Sequence, residues 1–137
     1  MSIHYSTDRK ISGAEFVDVL RRSTLSERRP VDDPARIEAM LGNAPLLCTA
    51  WDGEKLVGIA RSVTDFTFCC YLSDLAVDRA YQSQGIGREL IRNTRSKLGP
   101  KATIILLAAP LAEGYYPKIG MQAHRSAWIL PPQAPLE

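Results

Sequence analysis

The chain has little of several features that point to particular classes of protein. Its 137 residues contain three cysteines and two histidines, aromatic residues make up 7%, and 17 basic residues against 15 acidic ones leave a net charge of +2. This near balance argues against a chain whose main task is to neutralise nucleic-acid phosphates, so no nucleic-acid partner is expected. With 45% apolar residues the composition is that of a soluble globular domain, and one domain spanning residues 1–137 is expected.

Long apolar runs are also missing. The longest, Ala102 to Ala112, is about eleven residues and contains Pro110, whereas a membrane-spanning helix needs about 20. The first residues, Met1 to Tyr5, include no basic segment followed by an apolar one, so no secretory signal is predicted. We therefore expect no membrane partner and a cytoplasmic protein.

The three cysteines, Cys48, Cys69 and Cys70, are odd in number and have no metal-ligand spacing. We expect reduced thiols in core or half-core positions, with Cys69 and Cys70 on opposite faces of a strand. Gly-x-Ser-x-Gly, His-Glu-x-x-His and Cys-x-x-Cys motifs are absent from the sequence, which argues against serine-hydrolase, zinc-protease and zinc-ribbon chemistry. No metal is predicted.

Hydrophobic periodicity divides the chain into helices and strands of an α+β domain, without repeats or linkers. A short strand around Tyr5 precedes a helix that begins at Ser12 with the Ser-x-x-Glu capping-box pattern. Asp33 before Pro34 predicts a second helix, which ends at Gly42. Further on we predict strands at 46–51, 56–63 and 67–77, a helix at 85–98, a strand buried on both faces at 103–108, a short helix at 113–119 and a last strand at 123–130. The segment 67–108 is a predicted right-handed βαβ unit.

The segment from Leu75 to Leu90 contains the most informative pattern. A predicted strand ends near Val77, a polar turn follows, and Gly85 and Gly87 stand where a helix begins. The unpaired N–H groups of a first helical turn bind phosphate, and glycines let a diphosphate approach the backbone. NAD and ATP are disfavoured because the third glycine of the dinucleotide fingerprint is missing and the Gly53 to Gly58 segment lacks the Lys-Ser/Thr of a P-loop. By itself, Gly-x-Gly is equally consistent with tight helix packing.

Two motifs resemble those of a known family. Residues 82–87, Gln-Ser-Gln-Gly-Ile-Gly, fit the Gln/Arg-x-x-Gly-x-Gly/Ala signature of the GCN5-related N-acetyltransferase (GNAT) family, and residues 75–78 are similar to its preceding strand. Residues 112–121 resemble the family's late aromatic-Tyr-x-x-x-Gly-Phe element, with Tyr116 at the tyrosine and Met121 in place of Phe. The resemblance covers most of the chain in element order. It implies an α+β acyl-CoA N-acyltransferase fold, a mixed, mostly antiparallel sheet of six to seven strands flanked by about four helices.

The resemblance implies transfer of the acetyl group of acetyl-CoA, the cosubstrate, to a primary amine of a small molecule or protein, by direct attack in a ternary complex without a metal. In the family the pantetheine arm lies between two splayed strands, which here correspond to 69–77 and 103–109. The resemblance places the arm against the backbone of Leu75, Ala76 and Val77, with Tyr115 packed against the cofactor or the sheet. The residues that it implies for the diphosphate are Gln82, Ser83, Gln84, Gly85, Ile86, Gly87 and Arg88. The alternative is a CoA-binding sensor or interaction protein with a degenerate acceptor site.

Direct attack on a thioester needs a neutral amine, a stabilised oxyanion and a proton for the departing thiolate. Tyr116, at the family's tyrosine position, is the candidate acid, since a phenol with a pKa of about 10 is protonated at neutral pH. The alternative is an aromatic residue that anchors the short helix. Asp74 is a candidate base, because a carboxylate on a strand face shared with apolar residues is either hydrogen-bonded or functional. Asp65, Glu113 and a water relay are the other candidates.

Arginines crowd the connection between the first two predicted helices, at Arg21, Arg22, Arg28 and Arg29. They would either recognise an anionic group on the acceptor or lie in a solvated, mobile loop and cap the first helix. We favour the second interpretation. The oligomeric state stays open, and a homodimer that pairs through the last strand is one candidate assembly.

Overall fold

A computed structural model describes residues 2–137 of the chain, which divide after Leu107 into two compact units. Within the described residues, the first unit contains five strands and three helices, and the second contains one helix. In chain order the elements of the first unit are β1 (His4–Ser6), α1 (Gly13–Ser23), α2 (Pro34–Gly42), β2 (Leu46–Asp52), β3 (Lys55–Thr64), β4 (Cys69–Val77), α3 (Ile86–Ser96) and β5 (Thr103–Ile105). The helix of the second unit is α4 (Tyr115–Lys118). Short 3₁₀ helices lie at Leu25–Arg28, Arg79–Tyr81 and Pro110–Ala112.

The five strands form one sheet in the order β1-β2-β3-β4-β5. The pairs from β1 to β4 are antiparallel, whereas β5 lies parallel to β4, with Cys69 opposite Thr103 and Tyr71 opposite Ile105. A parallel pair needs a crossover connection, and α3 lies within it. The predicted succession of strand, helix and parallel strand is therefore confirmed.

Two clusters of buried side chains hold the helices of the first unit on its sheet. One joins α1 and α2 to the sheet and includes Phe16, Leu20, Ile37, Trp51 and Ile59. The other joins α3 to the sheet and includes Cys48, Val57, Leu72, Ile86 and Leu90. Gly58 lets α3 approach β3 closely, because a Cβ at this position would lie 3.1 Å from Leu90 Cδ1 and 3.4 Å from Ile86 Cγ2.

Both predicted helix starts are confirmed. The Ser12 hydroxyl accepts a hydrogen bond from the Glu15 N–H, while the Glu15 carboxylate accepts one from the Ser12 N–H. Asp33 accepts a hydrogen bond from the Arg36 N–H, and Pro34 occupies the first turn of α2. These bonds satisfy N–H groups that the helices themselves cannot, so local sequence fixes where α1 and α2 begin.

Two predictions about the strands are wrong. The described part of the chain has five strands rather than six to seven, because 123–130 forms none, and its large apolar side chains are exposed at Trp128, Ile129 and Leu130. Alternation alone does not make a strand, since a strand also needs a hydrogen-bonded partner. The strand predicted at 103–108 is only three residues long, and Thr103 and Ile105 are exposed. An apolar, β-branched run indicates strand propensity, but burial on both faces depends on neighbours that this outermost strand lacks.

The cysteines partly follow the prediction. Cys48 and Cys70 are buried, but Cys69 is exposed. Cys69 opens β4 beside the outermost strand, so the face opposite to that of Cys70 is open there. No helix in residues 2–137 is long and apolar enough to cross a membrane, and the same residues contain no cluster of three potential metal ligands.

Candidate functional site

The candidate site includes the edge of β4 that faces β5. β5 pairs with β4 only from Cys69 to Tyr71, whereas β4 continues to Val77. The other edge of β4 is paired with β3 as far as Val77. Among the described residues, no strand lies beside the free edge at Leu75, Ala76 and Val77, so backbone groups that point there lack a ladder partner. An extended ligand with amide groups can pair with such an edge.

The loop after β4 leads into α3 and leaves backbone N–H groups free. Gly85 is the N-cap of α3, and it provides no side chain to cap the helix. Within residues 2–137, no hydrogen bond uses the N–H groups of Gly85, Ile86, Gly87 or Arg88. We call these the four-amide site. Free N–H groups at the positive end of an 11-residue helix form the kind of backbone arrangement that binds phosphate.

The glycine at 85 is explained by its backbone conformation. Its φ of 83° lies in the left-handed region, which side chains disfavour. A Cβ at this position would meet no heavy atom within 4 Å, so the protein itself leaves room for one. Ser83 also has a positive φ, of 64°. The sequence pattern therefore marks a turn of unusual backbone shape.

Side chains at the two ends of the loop anchor it to β4 and to the core under α3. Gln82 Nε2 donates to the Val77 carbonyl oxygen at 3.1 Å, and Ser83 and Gln84 are exposed. The Ile86 side chain is 3% exposed and packs in the buried cluster that joins α3 to the sheet, so Ile86 offers a ligand only its N–H. Arg88 is exposed. The predicted diphosphate-binding residues thus lie together on one continuous turn.

Asp78 ties the start of the loop to α1 and β3. Its carboxylate accepts hydrogen bonds from the Ala80 N–H, at 2.8 Å, and from the Arg22 guanidinium, and Lys55 Nζ lies 3.8 Å away. Burial raises the pKa of the Asp78 carboxyl. The hydrogen bonds from Ala80 and Arg22 lower it by more than burial raises it, so the pKa of Asp78 lies below the ordinary value. Sequence reasoning did not single out Asp78, although an Asp just before a turn is a common capping residue.

The two predicted tyrosines lie together in the second unit, on α4. Their rings meet edge to face, with centroids 5.3 Å apart and an interplanar angle of 78°. Tyr116 is half-buried. Burial raises the pKa of its phenol, and the neighbouring Tyr115 raises it further. A phenol in this state keeps its proton throughout the neutral range, which a general acid requires.

The candidate bases differ in their surroundings. Asp74 is fully buried, with one carboxylate oxygen accepting a hydrogen bond from Arg29 and the other from Arg61. These partners are those of a buried ion pair, and the role of Asp74 as a base stays a prediction. Asp65 is exposed, and the N–H groups of Phe68, Thr67 and Cys69 lower the pKa of its carboxyl by hydrogen bonding, as expected of a residue that shapes the β3–β4 turn. Glu113 is exposed in the second unit.

The favoured interpretation of the arginines, a solvated loop, is wrong for two of them. Arg22 pairs with Asp18 and Asp78 and donates to the Leu56 carbonyl oxygen at 2.7 Å. Arg29 pairs with buried Asp74. In contrast, Arg21 is exposed and lies 3.5 Å from exposed Asp32, and Arg28 is exposed. One signal was available in the sequence, because Asp74 and Arg61 interrupt neighbouring apolar strands with opposite charges and each needs a partner.

Comparison with known proteins decides the family. The family model described as "Acetyltransferase (GNAT) family" matches residues 14–120. The chain belongs to the acetyltransferase (GNAT) family. This match confirms the resemblance that the 82–87 and 112–121 motifs predict. GNAT acetyltransferases generally use acetyl-CoA, which agrees with a site made of a free strand edge and free N–H groups.

Solved structures confirm the GNAT fold. A probable acetyltransferase of unknown function from meticillin-resistant Staphylococcus aureus superposes with a TM-score of 0.72 at 18% identity, covering 94% of this chain and 99% of the other. A GNAT family acetyltransferase from Streptococcus pneumoniae superposes with a TM-score of 0.69 at 20% identity, covering 94% of this chain and 98% of the other. The GNAT fold is therefore present here with a sheet of five strands in the described residues.

A curated relative matches part of the chain. It is GCN5-related N-acetyltransferase 2, chloroplastic, of Arabidopsis thaliana, which is 33% identical over 79 residues. The match covers 53% of this chain and 31% of the relative. This chain thus spans about a third of the length of the relative, so the match supports the family and leaves the acceptor open.

Proposed function

We propose that the chain binds acetyl-CoA and transfers its acetyl group to a primary amine. Membership in an acetyltransferase family supports the class of reaction. The choice of donor rests on one observation, the free edge of β4 at 75–77 and the four-amide site at the end of the loop that follows this strand. A donor with amide groups along an extended arm and a diphosphate at its end fits this succession.

Each part of the site has a proposed task. Coenzyme A supplies the acetyl group as a thioester, which an amine can attack. The backbone of Leu75, Ala76 and Val77 pairs with the amides of the pantetheine arm. The four-amide site holds the diphosphate, and the exposed guanidinium of Arg88 adds a positive charge nearby. Gln82 keeps the loop in place through its hydrogen bond to the Val77 carbonyl oxygen.

Tyr116 is the proposed general acid. As the nitrogen–carbon bond forms and the carbon–sulfur bond breaks, the amine loses one proton and the departing thiolate takes one. The phenol of Tyr116 donates the proton that the departing thiolate takes. The raised pKa of the phenol keeps it protonated until the carbon–sulfur bond breaks. We propose that Tyr115 packs against the donor. An amine needs a proton acceptor as well, for which solvent and the carboxylates named above are the candidates.

A thermal-shift comparison of CoA, acetyl-CoA, NAD and ATP tests the donor. At a concentration of 100 times Kd, a ligand that binds only the folded state stabilises it by about 2.7 kcal/mol, which a melting curve resolves. We expect CoA and acetyl-CoA to stabilise the protein and NAD and ATP to leave it unchanged. Stabilisation by NAD or ATP alone would contradict the proposal.

Tyr116→Phe tests the acid. We expect kcat to fall by about tenfold or more while the Kd of CoA stays the same, because the phenol acts on the leaving group rather than on binding. Tyr5→Phe, which removes a phenol from β1, is the matched control and keeps its activity. Unchanged turnover of Tyr116→Phe would remove the assignment. Tight CoA binding by the wild-type protein without acetylation of a broad amine panel would favour a CoA-binding sensor.

A further inference from the structure

A charged cluster lies at the middle of β4. The buried carboxylate of Asp74 accepts one hydrogen bond from Arg29 Nε and one from Arg61 Nε. Arg61 lies on β3 directly opposite Asp74, and Arg29 follows the 3₁₀ helix Leu25–Arg28. The side chain of Arg61 is 8% exposed and that of Arg29 is 20% exposed. We call the three side chains the arginine clamp. Each guanidinium has five N–H groups, so both arginines keep donors for other partners.

The remaining donors of the arginine clamp hold one residue of β4. Arg29 Nη2 donates to the Ser73 carbonyl oxygen at 2.7 Å, and Arg61 Nη2 donates to the Ser73 hydroxyl at 3.1 Å. Ser73 is the extra residue of a β-bulge, because the register between β3 and β4 skips it. A bulge leaves its extra residue out of the ladder. The arginines therefore supply hydrogen bonds that β3 does not.

The bulge lies where β4 loses its other neighbour. Pairing with β5 ends at Tyr71, two residues before Ser73. The ladder is thus irregular on one edge and absent on the other over the same short stretch, which makes a strand easy to deform. The arginine clamp connects this stretch to the helical layer, because Arg61 Nη1 donates to the Met40 carbonyl oxygen of α2 at 3.3 Å and Arg29 Nη1 donates to the Arg28 carbonyl oxygen at 2.8 Å.

We propose that Arg29 and Arg61 are positioning residues that hold the Ser73 bulge and so set the geometry of the β4 edge against which the acetyl-bearing arm of the donor lies. The inference rests on the proposed function, which assigns this edge to acetyl-CoA. Positioning requires the planar fork of arginine. Lysine at position 29 keeps a positive charge beside Asp74, but it cannot reach the carboxylate and the Ser73 carbonyl oxygen in the same geometry.

Arg29→Lys separates positioning from simple charge neutralisation. By calorimetry, we expect the Kd of CoA to rise about tenfold, while the Kd of 3′-phosphoadenosine 5′-diphosphate, which lacks pantetheine, changes by less than about twofold. Amide hydrogen exchange at residues 72–75 becomes faster in the same variant. Arg36→Lys is the matched control, because Arg36 is exposed on α2. It leaves both affinities and the exchange unchanged.

Equal weakening of both ligands by Arg29→Lys, or no weakening of either, overturns the positioning role. If this variant does not fold, Ser73→Ala replaces it, since that change removes only the Arg61 bond to the bulge hydroxyl and gives the same comparison with a smaller loss. Failure of the proposed function looks different, because the wild-type protein then binds neither ligand. In that case hydrogen exchange tests whether the arginine clamp holds the bulge. Faster exchange at 72–75 in Arg29→Lys supports this role, and unchanged exchange overturns it.

Discussion

Replacing Gly85 by alanine tests how far the four-amide site depends on a left-handed backbone. An L-residue in this region costs about 1–2 kcal/mol. The added Cβ would meet no heavy atom within 4 Å, so no clash adds to this cost and no new contact offsets it. We therefore expect Gly85→Ala to lose about 1 kcal/mol of unfolding free energy if the loop keeps its shape.

If the loop relaxes instead, the cost appears in binding. Re-forming the site then takes about 1 kcal/mol, and the Kd of CoA rises about fivefold. Urea unfolding measures the loss of unfolding free energy, and calorimetry with CoA measures the loss of binding free energy. We expect the two losses together to amount to about 1 kcal/mol. Gly85→Asn is a milder variant, since Asn tolerates the left-handed region. Gly42→Ala, at the end of α2 and with open space around its Cβ, is the control that stays neutral or gains stability. A Gly85→Ala protein with unchanged stability and affinity would refute the reasoning.

Two further predictions concern the Asp78 carboxyl and the cysteines. Because the pKa of Asp78 lies below its ordinary value, its contribution to stability is present above about pH 4 and is lost as the pH falls below that value. Asp78→Asn thus costs about 1–3 kcal/mol of unfolding free energy at pH 7 and less at pH 3, and a loss that is the same at both values would contradict this. Burial raises the pKa of the Cys48 thiol to about 11 and Cys70 is also buried, so N-ethylmaleimide at pH 7 modifies only Cys69 in the folded protein. Mass spectrometry counts the labels, Cys69→Ser removes the label, and modification of Cys48 at the rate of Cys69 would be inconsistent with the structure.

The parts of the fold that were predictable from sequence depend on residues close together in the chain. Ser12 and Asp33 cap helices through bonds to residues three positions away. Gly85 stands at the turn into α3, where its backbone conformation is a local property. The family motifs are local in the same sense, since each lies within about ten residues.

The parts that were not predictable depend on distant partners. Arg29 and Asp74 are 45 residues apart in the chain, and no periodicity indicates that they pair. The exposure of Ile105 follows from the position of β5 at the edge of the sheet, which a run of apolar residues does not reveal. For the same reason the alternation in 123–130 predicts a strand that the structure does not contain. Tertiary context, rather than local propensity, decides these points.

The close packing of α3 on β3 has a consequence for the thermodynamics of binding. Ile86 and Leu90, from the first turns of α3, are almost fully buried over Gly58, so the backbone that carries the four-amide site is fixed by the core of the first unit. Such a site is preorganised, and it has little conformational entropy left to lose when an anion arrives. The ordering cost of binding then falls mainly on the flexible ligand. If the four-amide site holds the diphosphate as proposed, its affinity for the diphosphate alone is set by this rigid part of the protein.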